Sequence, residues 1–127
     1  MGQPRKSGKM PRYKTTEDVI ATGKEKKLIT VREGRITYEG TKEKKTYQFT
    51  DPEEQIRAGV YVELIEKYKY PASRIEMEVY PPSRAPPYPA DVVVYEDDEH
   101  EKVFIVVEVK ADSSERNIEI AKREVVP

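Results

Sequence analysis

Hydrophobic positions along this chain repeat with two different periods, and the change between them marks its elements. From Asp51 to Tyr68, Ile56, Val60, Leu64, Ile65 and Tyr68 form one stripe with charges elsewhere, the pattern of an amphipathic helix. Asp51 suits the N-cap, Pro52 suits the first helical position, and Asp51 with Glu54 fits a capping box. Pro71 ends the helix. Ile75–Tyr80 then alternates Ile, Glu, Met, Glu, Val, Tyr, which predicts a half-buried strand. Two β-branched runs follow, Val92–Tyr95 and Val103–Val109, with a short acidic segment between them. They predict an antiparallel hairpin.

The flanks are less regular. Residues 1–14 carry five basic residues and no acidic one, with Gly, Pro and Ser among them, and read as a flexible basic tail. Gly2–Lys9 is not a phosphate-binding loop, because its glycine spacing is one residue too long and no strand precedes it. Residues 15–50 form an N-terminal β extension: Leu28–Val31, Ile36–Tyr38 and Thr46–Phe49 predict two or three short strands, with turns at Glu33–Arg35 and near Gly40–Lys44. Asp18–Ala21 suits a single helical turn. Pro81–Pro89 is too proline-rich for a regular ladder. After Lys110, Ala111–Ser114 reads as a turn. Ser114–Val126 reads as a helix with Ile118, Ile120, Ala121 and Val125 as its apolar side.

Composition narrows the possible functions. A chain of 127 residues suits one domain with a modest core, and with 36% hydrophobic residues that core must sit in a few elements. Without cysteine there is no disulfide framework, no cysteine-ligated zinc and no thiol nucleophile. No apolar run approaches the length of a signal segment or membrane span, so the expected setting is the cytoplasm, with no membrane partner. The 23 basic and 24 acidic residues nearly cancel, so any nucleic-acid contact must be local. The one histidine, His100, sits in the acidic turn and reads as a turn residue. Glu96–Glu101 lacks the alternating ligands and glycine of a calcium loop, and reads as a solvated turn.

The chemistry concentrates in the hairpin. Glu108 and Lys110, two apart, share one strand face, and a turn centred between Glu99 and His100 puts Asp91 opposite Glu108. A one-residue slip sends Asp91 to the other face. Two neighbouring carboxylates need a compensating cation, and oxygen ligands of this kind favour Mg²⁺ or Mn²⁺. Lys110 can then act on an attacking water or a scissile phosphate. The same pattern also suits a charged strand end with a cross-strand ion pair. Glu-x-Lys recurs at Glu25–Lys27 and Glu43–Lys45, but there it does not end an apolar strand.

An N-terminal helix, an Asp opening a strand and Glu-x-Lys on the next strand together resemble the PD-(D/E)xK nuclease superfamily. More narrowly, DPEEQIR, YPASRIEMEVY, PADVVVYEDD and VFIVVEVKAD resemble, over about residues 51–112, the nuclease domain of type I restriction enzyme R subunits. The resemblance implies an α/β restriction-endonuclease-like αβββαβ core over residues 51–127, truncated before its last strand, with extra N-terminal strands. It implies a Mg²⁺- or Mn²⁺-dependent DNA endonuclease with Asp91 and Glu108 as metal ligands and Lys110 as the catalytic lysine. Glu54 is the first-helix acid that would approach the metal, against its other reading as a capping-box glutamate. Arg84 and Tyr88, in the proline-rich stretch, are candidate DNA contacts. Double-stranded DNA and the methylation and specificity subunits are the implied partners. Two departures stand out: Ala90 replaces the motif's proline, with Pro89 one place earlier, and Asn117–Val126 lacks the Gln-x-x-x-Tyr of many relatives. The alternatives are a repair or junction nuclease of the same superfamily, and a nuclease-like fold that only binds DNA or a partner.

Overall fold

A computed structural model of the chain describes residues 15–79, 89–110 and 117–122, with Lys110 and residues 117–122 described by backbone only. The basic tail, the proline-rich stretch with Arg84 and Tyr88, and the turn expected at Ala111–Ser114 lie outside the described residues. The architecture is mixed α/β. In chain order it runs α1 (Thr16–Glu25), β1 (Ile29–Arg32), β2 (Arg35–Tyr38), β3 (Thr46–Gln48), α2 (Pro52–Glu66), a 3-10 turn at Ala72–Arg74, β4 (Ile75–Val79), β5 (Ala90–Tyr95), β6 (Val103–Lys110) and β7 (Asn117–Lys122). The strands form two antiparallel sheets, β1-β2-β3 and β4-β5-β6-β7.

Each element has a local cause. Glu33 (φ 53°) and Gly34 (φ 77°) make a two-residue turn with both central residues left-handed, the geometry that matches hairpin twist and pairs Arg32 with Arg35. Helix α1 is ten residues, longer than the single turn expected at Asp18–Ala21. The reason is a capping box, in which Thr15 accepts from the Asp18 N–H and Asp18 accepts from the Thr15 N–H. Helix α2 starts where the sequence predicts, with Asp51 Oδ1 accepting from the Glu53 N–H at 3.1 Å and Pro52 in the first turn. Its cap is Asp51 alone, for the Glu54 side chain turns inward. Its buried side is also broader than the predicted stripe: Arg57, Ala58, Val60, Tyr61, Val62 and Leu64 are buried, whereas Tyr68 lies beyond the helix and is exposed.

The C-terminal segment corrects the helix expected over Ser114–Val126. Residues 117–122 are a strand, β7, antiparallel to β6, with Val109 opposite Ile118 and Val107 opposite Ile120. Ile118 and Ile120 stand in register with Val109 and Val107 of β6, and that long-range pairing overrides a weak helical spacing.

The main core lies between the two sheets and around α2. Ile29, Ile36 and Tyr38 from the small sheet meet Val60, Tyr61 and Leu64 of α2 and Ile75, Met77, Val92, Val94 and Val107 of the large sheet. A second cluster, including Val93, Tyr95, Val103 and Val106, lies on the other face of the large sheet. Strand β5 is therefore apolar on both faces, which explains its unbroken valine run.

The loop after β5 fixes the hairpin register. Asp97 accepts from the N–H groups of Glu101 and Lys102 at 3.0–3.2 Å, and these bonds, that of Lys102 foremost, hold its carboxyl below the usual range. His100, at φ 62°, stacks on Tyr95 with ring centres 4.4 Å apart, its Nδ1 2.7 Å from Glu76 Oε1 and its Nε2 2.8 Å from the Ser73 carbonyl. It is a turn residue, as expected, and it ties the turn to β4. Close packing recurs at Gly40, where an added Cβ would lie 2.4 Å from the Ala72 Cβ and 3.2 Å from the Tyr61 hydroxyl that accepts the Gly40 N–H. Since the Ala72 Cβ cannot move without its backbone, Gly40→Ala is expected to cost about 1–3 kcal/mol by overpacking, measured by urea denaturation.

Candidate functional site

Asp91 and Glu108 sit at the end of the large sheet where the expected register holds. Val92 pairs with Val107, Val93 with Val106 and Val94 with Ile105, and just beyond the first of these pairs Asp91 Oδ2 accepts the N–H of Val109, the neighbour of Glu108. The irregularity between Val94 and Tyr95 shifts the register by one residue, from Tyr95–Val103 beside the turn to Val94–Ile105 and the pairs beyond it. Alternation is irregular at this level: Ala90 packs with Val93 and Tyr95, and Glu78, level with Asp91 on β4, has φ 52°. The Lys110 backbone continues β6 opposite Asn117.

Asp91 is held by the sheet itself: its Oδ2 accepts the Val109 N–H at 2.8 Å. Burial raises its pKa, the bond from Val109 lowers it, the charges of Glu108 and Glu78 raise it and that of Arg57 lowers it. The net shift is upward, with burial as its largest cause.

Behind Asp91, on the α2 side, lies a buried polar cluster. Arg57 Nε donates to Glu54 Oε2 at 3.1 Å and Nη2 to Glu54 Oε1 at 2.6 Å, a two-pronged pair with side chains only 5% and 8% exposed. The Tyr38 hydroxyl donates to Glu54 Oε2 at 2.5 Å. Burial first and the Glu54 charge second push the Tyr38 pKa well above its ordinary value. Burial opposes the charge on Arg57, but the bonds and charge of Glu54, helped by Tyr38 and Glu78, outweigh it and raise its pKa. The guanidinium lies 4.5 Å over the Tyr47 ring, whose hydroxyl burial pushes up to about 12. Arg57 Nη1 also donates to the Asp91 carbonyl at 3.3 Å, and Nη2 lies 3.3 Å from Glu78 Oε2.

The structure thus places Asp91 and Glu108 together, while Glu54 meets Arg57 and Tyr38. Arg57 and Glu78 were not singled out by the sequence reading. Their signals were there: Glu54, Arg57, Ala58 and Tyr61 share one helical stripe, and Glu78 lies at the β4 level that faces Asp91.

Among the described residues, no group of three or more His, Asp or Glu side chains is arranged to hold a metal ion. The carboxylates of Asp91 and Glu108 are the candidate donors. Their oxygen-only chemistry fits a hard divalent ion of the Mg²⁺ type, which needs only one or two carboxylates beside water and phosphate oxygens.

A four-stranded antiparallel sheet backed by a capped helix, with two acids near one end of it, belongs to the α/β class with a candidate acidic site. A family model described as the type I restriction enzyme R protein N terminus matches residues 52–123. That is more than half of the chain, and the chain belongs to this family. No curated protein and no solved structure matches it. Among the described residues no helix is long and apolar enough to cross a membrane.

Proposed function

We propose that this chain is a metal-dependent DNA endonuclease domain, hydrolysing phosphodiester bonds within the R subunit of a type I restriction enzyme in the cytoplasm. The observation that supports the reading is the Asp91 carboxylate, held by the Val109 N–H and within reach of the Glu108 charge, inside the family-matched region. Asp91 and Glu108 bind Mg²⁺ or Mn²⁺, and the Val109 N–H fixes the orientation of Asp91. The ion supplies charge neutralisation at the scissile phosphate. Lys110 holds the attacking water or the phosphate through its ammonium. Double-stranded DNA is the substrate, and the methylation and specificity subunits are the partners.

Isothermal titration with Mn²⁺ or Mg²⁺ tests the metal centre. The expected result is one ion bound by the wild type and none by Asp91→Ala. Equal binding by both proteins would remove Asp91 from the centre, and no binding by either would favour a nuclease-like module that only binds DNA or a partner.

A further inference from the structure

The buried Glu54–Arg57 pair is an expensive way to fill a core. Two charges must leave water, and an apolar pair of similar volume is commonly as stable or more so. Such a pair is worth keeping where it fixes a geometry that apolar packing leaves loose. Arg57 is placed to do this. Its guanidinium is planar and uses separate edges at once: Nε and Nη2 grip Glu54 on its own helix, Nη1 reaches the Asp91 carbonyl, and Nη2 faces Glu78.

Glu78 adds a second line of support. Met77 pairs with Val92 and Val79 with Ala90, so Glu78 stands at the level of Asp91. Regular alternation would put its side chain on the face of Glu76, away from α2. Instead its φ is 52°, a left-handed conformation that side chains other than glycine rarely adopt, and its Oε2 lies 3.3 Å from Arg57 Nη2. One guanidinium therefore ties α2, β4 and the opening of β5 together beside Asp91.

We propose that Arg57, oriented by Glu54, is a positioning residue that sets the Asp91 carboxylate toward Glu108 by holding the Asp91 backbone against α2. Glu54 then serves the metal centre through Arg57, without touching the ion. The proposal rests on Asp91 being a metal ligand, but its structural half can be read without metal. The Val109 N–H donates to Asp91 Oδ2, so its hydrogen exchange reports how firmly the carboxylate is held.

The test uses the full chain and compares wild type, Arg57→Lys and Glu78→Gln by amide exchange in NMR, then by Mn²⁺ titration. Lysine keeps a charge for Glu54 but cannot also reach the Asp91 carbonyl. Arg57→Lys is expected to exchange the Val109 amide at least tenfold faster than wild type, with Val106 and Val107 unchanged, and to bind Mn²⁺ about 10–100-fold more weakly. Glu78→Gln, a change on a half-exposed side chain that leaves the buried pair intact, is expected to shift both readouts in the same direction by less. It also carries the test if Arg57→Lys does not fold. Unchanged Val109 exchange in the folded variants would overturn the proposal, as would faster exchange spread evenly along β6. Wild-type protein that binds no Mn²⁺ would refute the metal centre and, with it, the proposed link from Arg57 to the ion, while the exchange data would still decide whether Arg57 holds Asp91.

Discussion

Replacing Glu54 by alanine is expected to cost about 3–5 kcal/mol of folding stability, the range for removing one partner of a buried ion pair. If Glu54 served only to cap α2, the loss would stay within about 0.5–2 kcal/mol. The larger figure follows from what alanine leaves behind: a guanidinium only 5% exposed with no counter-charge on its own helix, and a buried Tyr38 hydroxyl without its acceptor. Removing both charges avoids that penalty, so Glu54→Leu combined with Arg57→Met should recover most of the stability. Urea denaturation of the three proteins reads this directly. A loss near 1 kcal/mol in Glu54→Ala would mean that the pair is solvated and that the buried cluster does not hold α2 to the sheet.

The second large effect is at Asp91, where stability and metal binding are expected to move in opposite directions. Its folded-state pKa is raised, by burial first and then by the negative charges of Glu108 and Glu78. A carboxylate with a raised folded pKa costs stability once ionised: the cost is absent below its unfolded pKa and fully present above the folded one. Asp91→Asn removes the charge while keeping an oxygen to accept the Val109 N–H. The metal-free variant should therefore melt above wild type at neutral pH, with the gap closing as the pH falls below about 4, the ordinary range of an unfolded Asp. The same variant should lose divalent-ion binding. Thermal melts across pH, with and without Mn²⁺, test both halves. A metal-free Asp91→Asn that melts below wild type at neutral pH would mean that the ionised carboxylate is already compensated by a cationic side chain.

What the sequence discloses here depends on the range over which each interaction acts. The expected pairs Val92–Val107 and Val93–Val106 are observed, but the turn centres on Glu99, with Tyr95 opposite Val103, and it is the irregularity between Val94 and Tyr95, which the sequence does not mark, that restores them. The start of α2 was legible because Asp51 and Pro52 are local signals. Strand β7 was not, since Asn117–Lys122 satisfies a loose helical stripe as well as strand alternation, and only the partner strand β6 decides between them. The length of α1 was missed although Thr15 and Asp18 have capping-box spacing, because Asp stands where Glu or Gln is usual. Glu54 fitted a capping box by spacing, yet its real partners, Arg57 and Tyr38, are set by the inward turn of its side chain and by the packing of α2 on β2. The positive φ at Glu78 has no sequence signal at all, since no glycine or asparagine marks it.

Nicking of supercoiled plasmid by the complete R subunit with its partner subunits, comparing wild type with Lys110→Ala in Mg²⁺, tests the central claim most directly. Lys110 stands two residues beyond Glu108 on β6, so its removal leaves the carboxylates in place and deletes the charge assigned to the water or phosphate. Wild type is expected to nick and Lys110→Ala to fall by a factor of about 10²–10³, the usual loss on removing one transition-state donor, while still binding the ion. Full nicking by Lys110→Ala would show that Glu108-Val109-Lys110 is a charged strand end without a catalytic part.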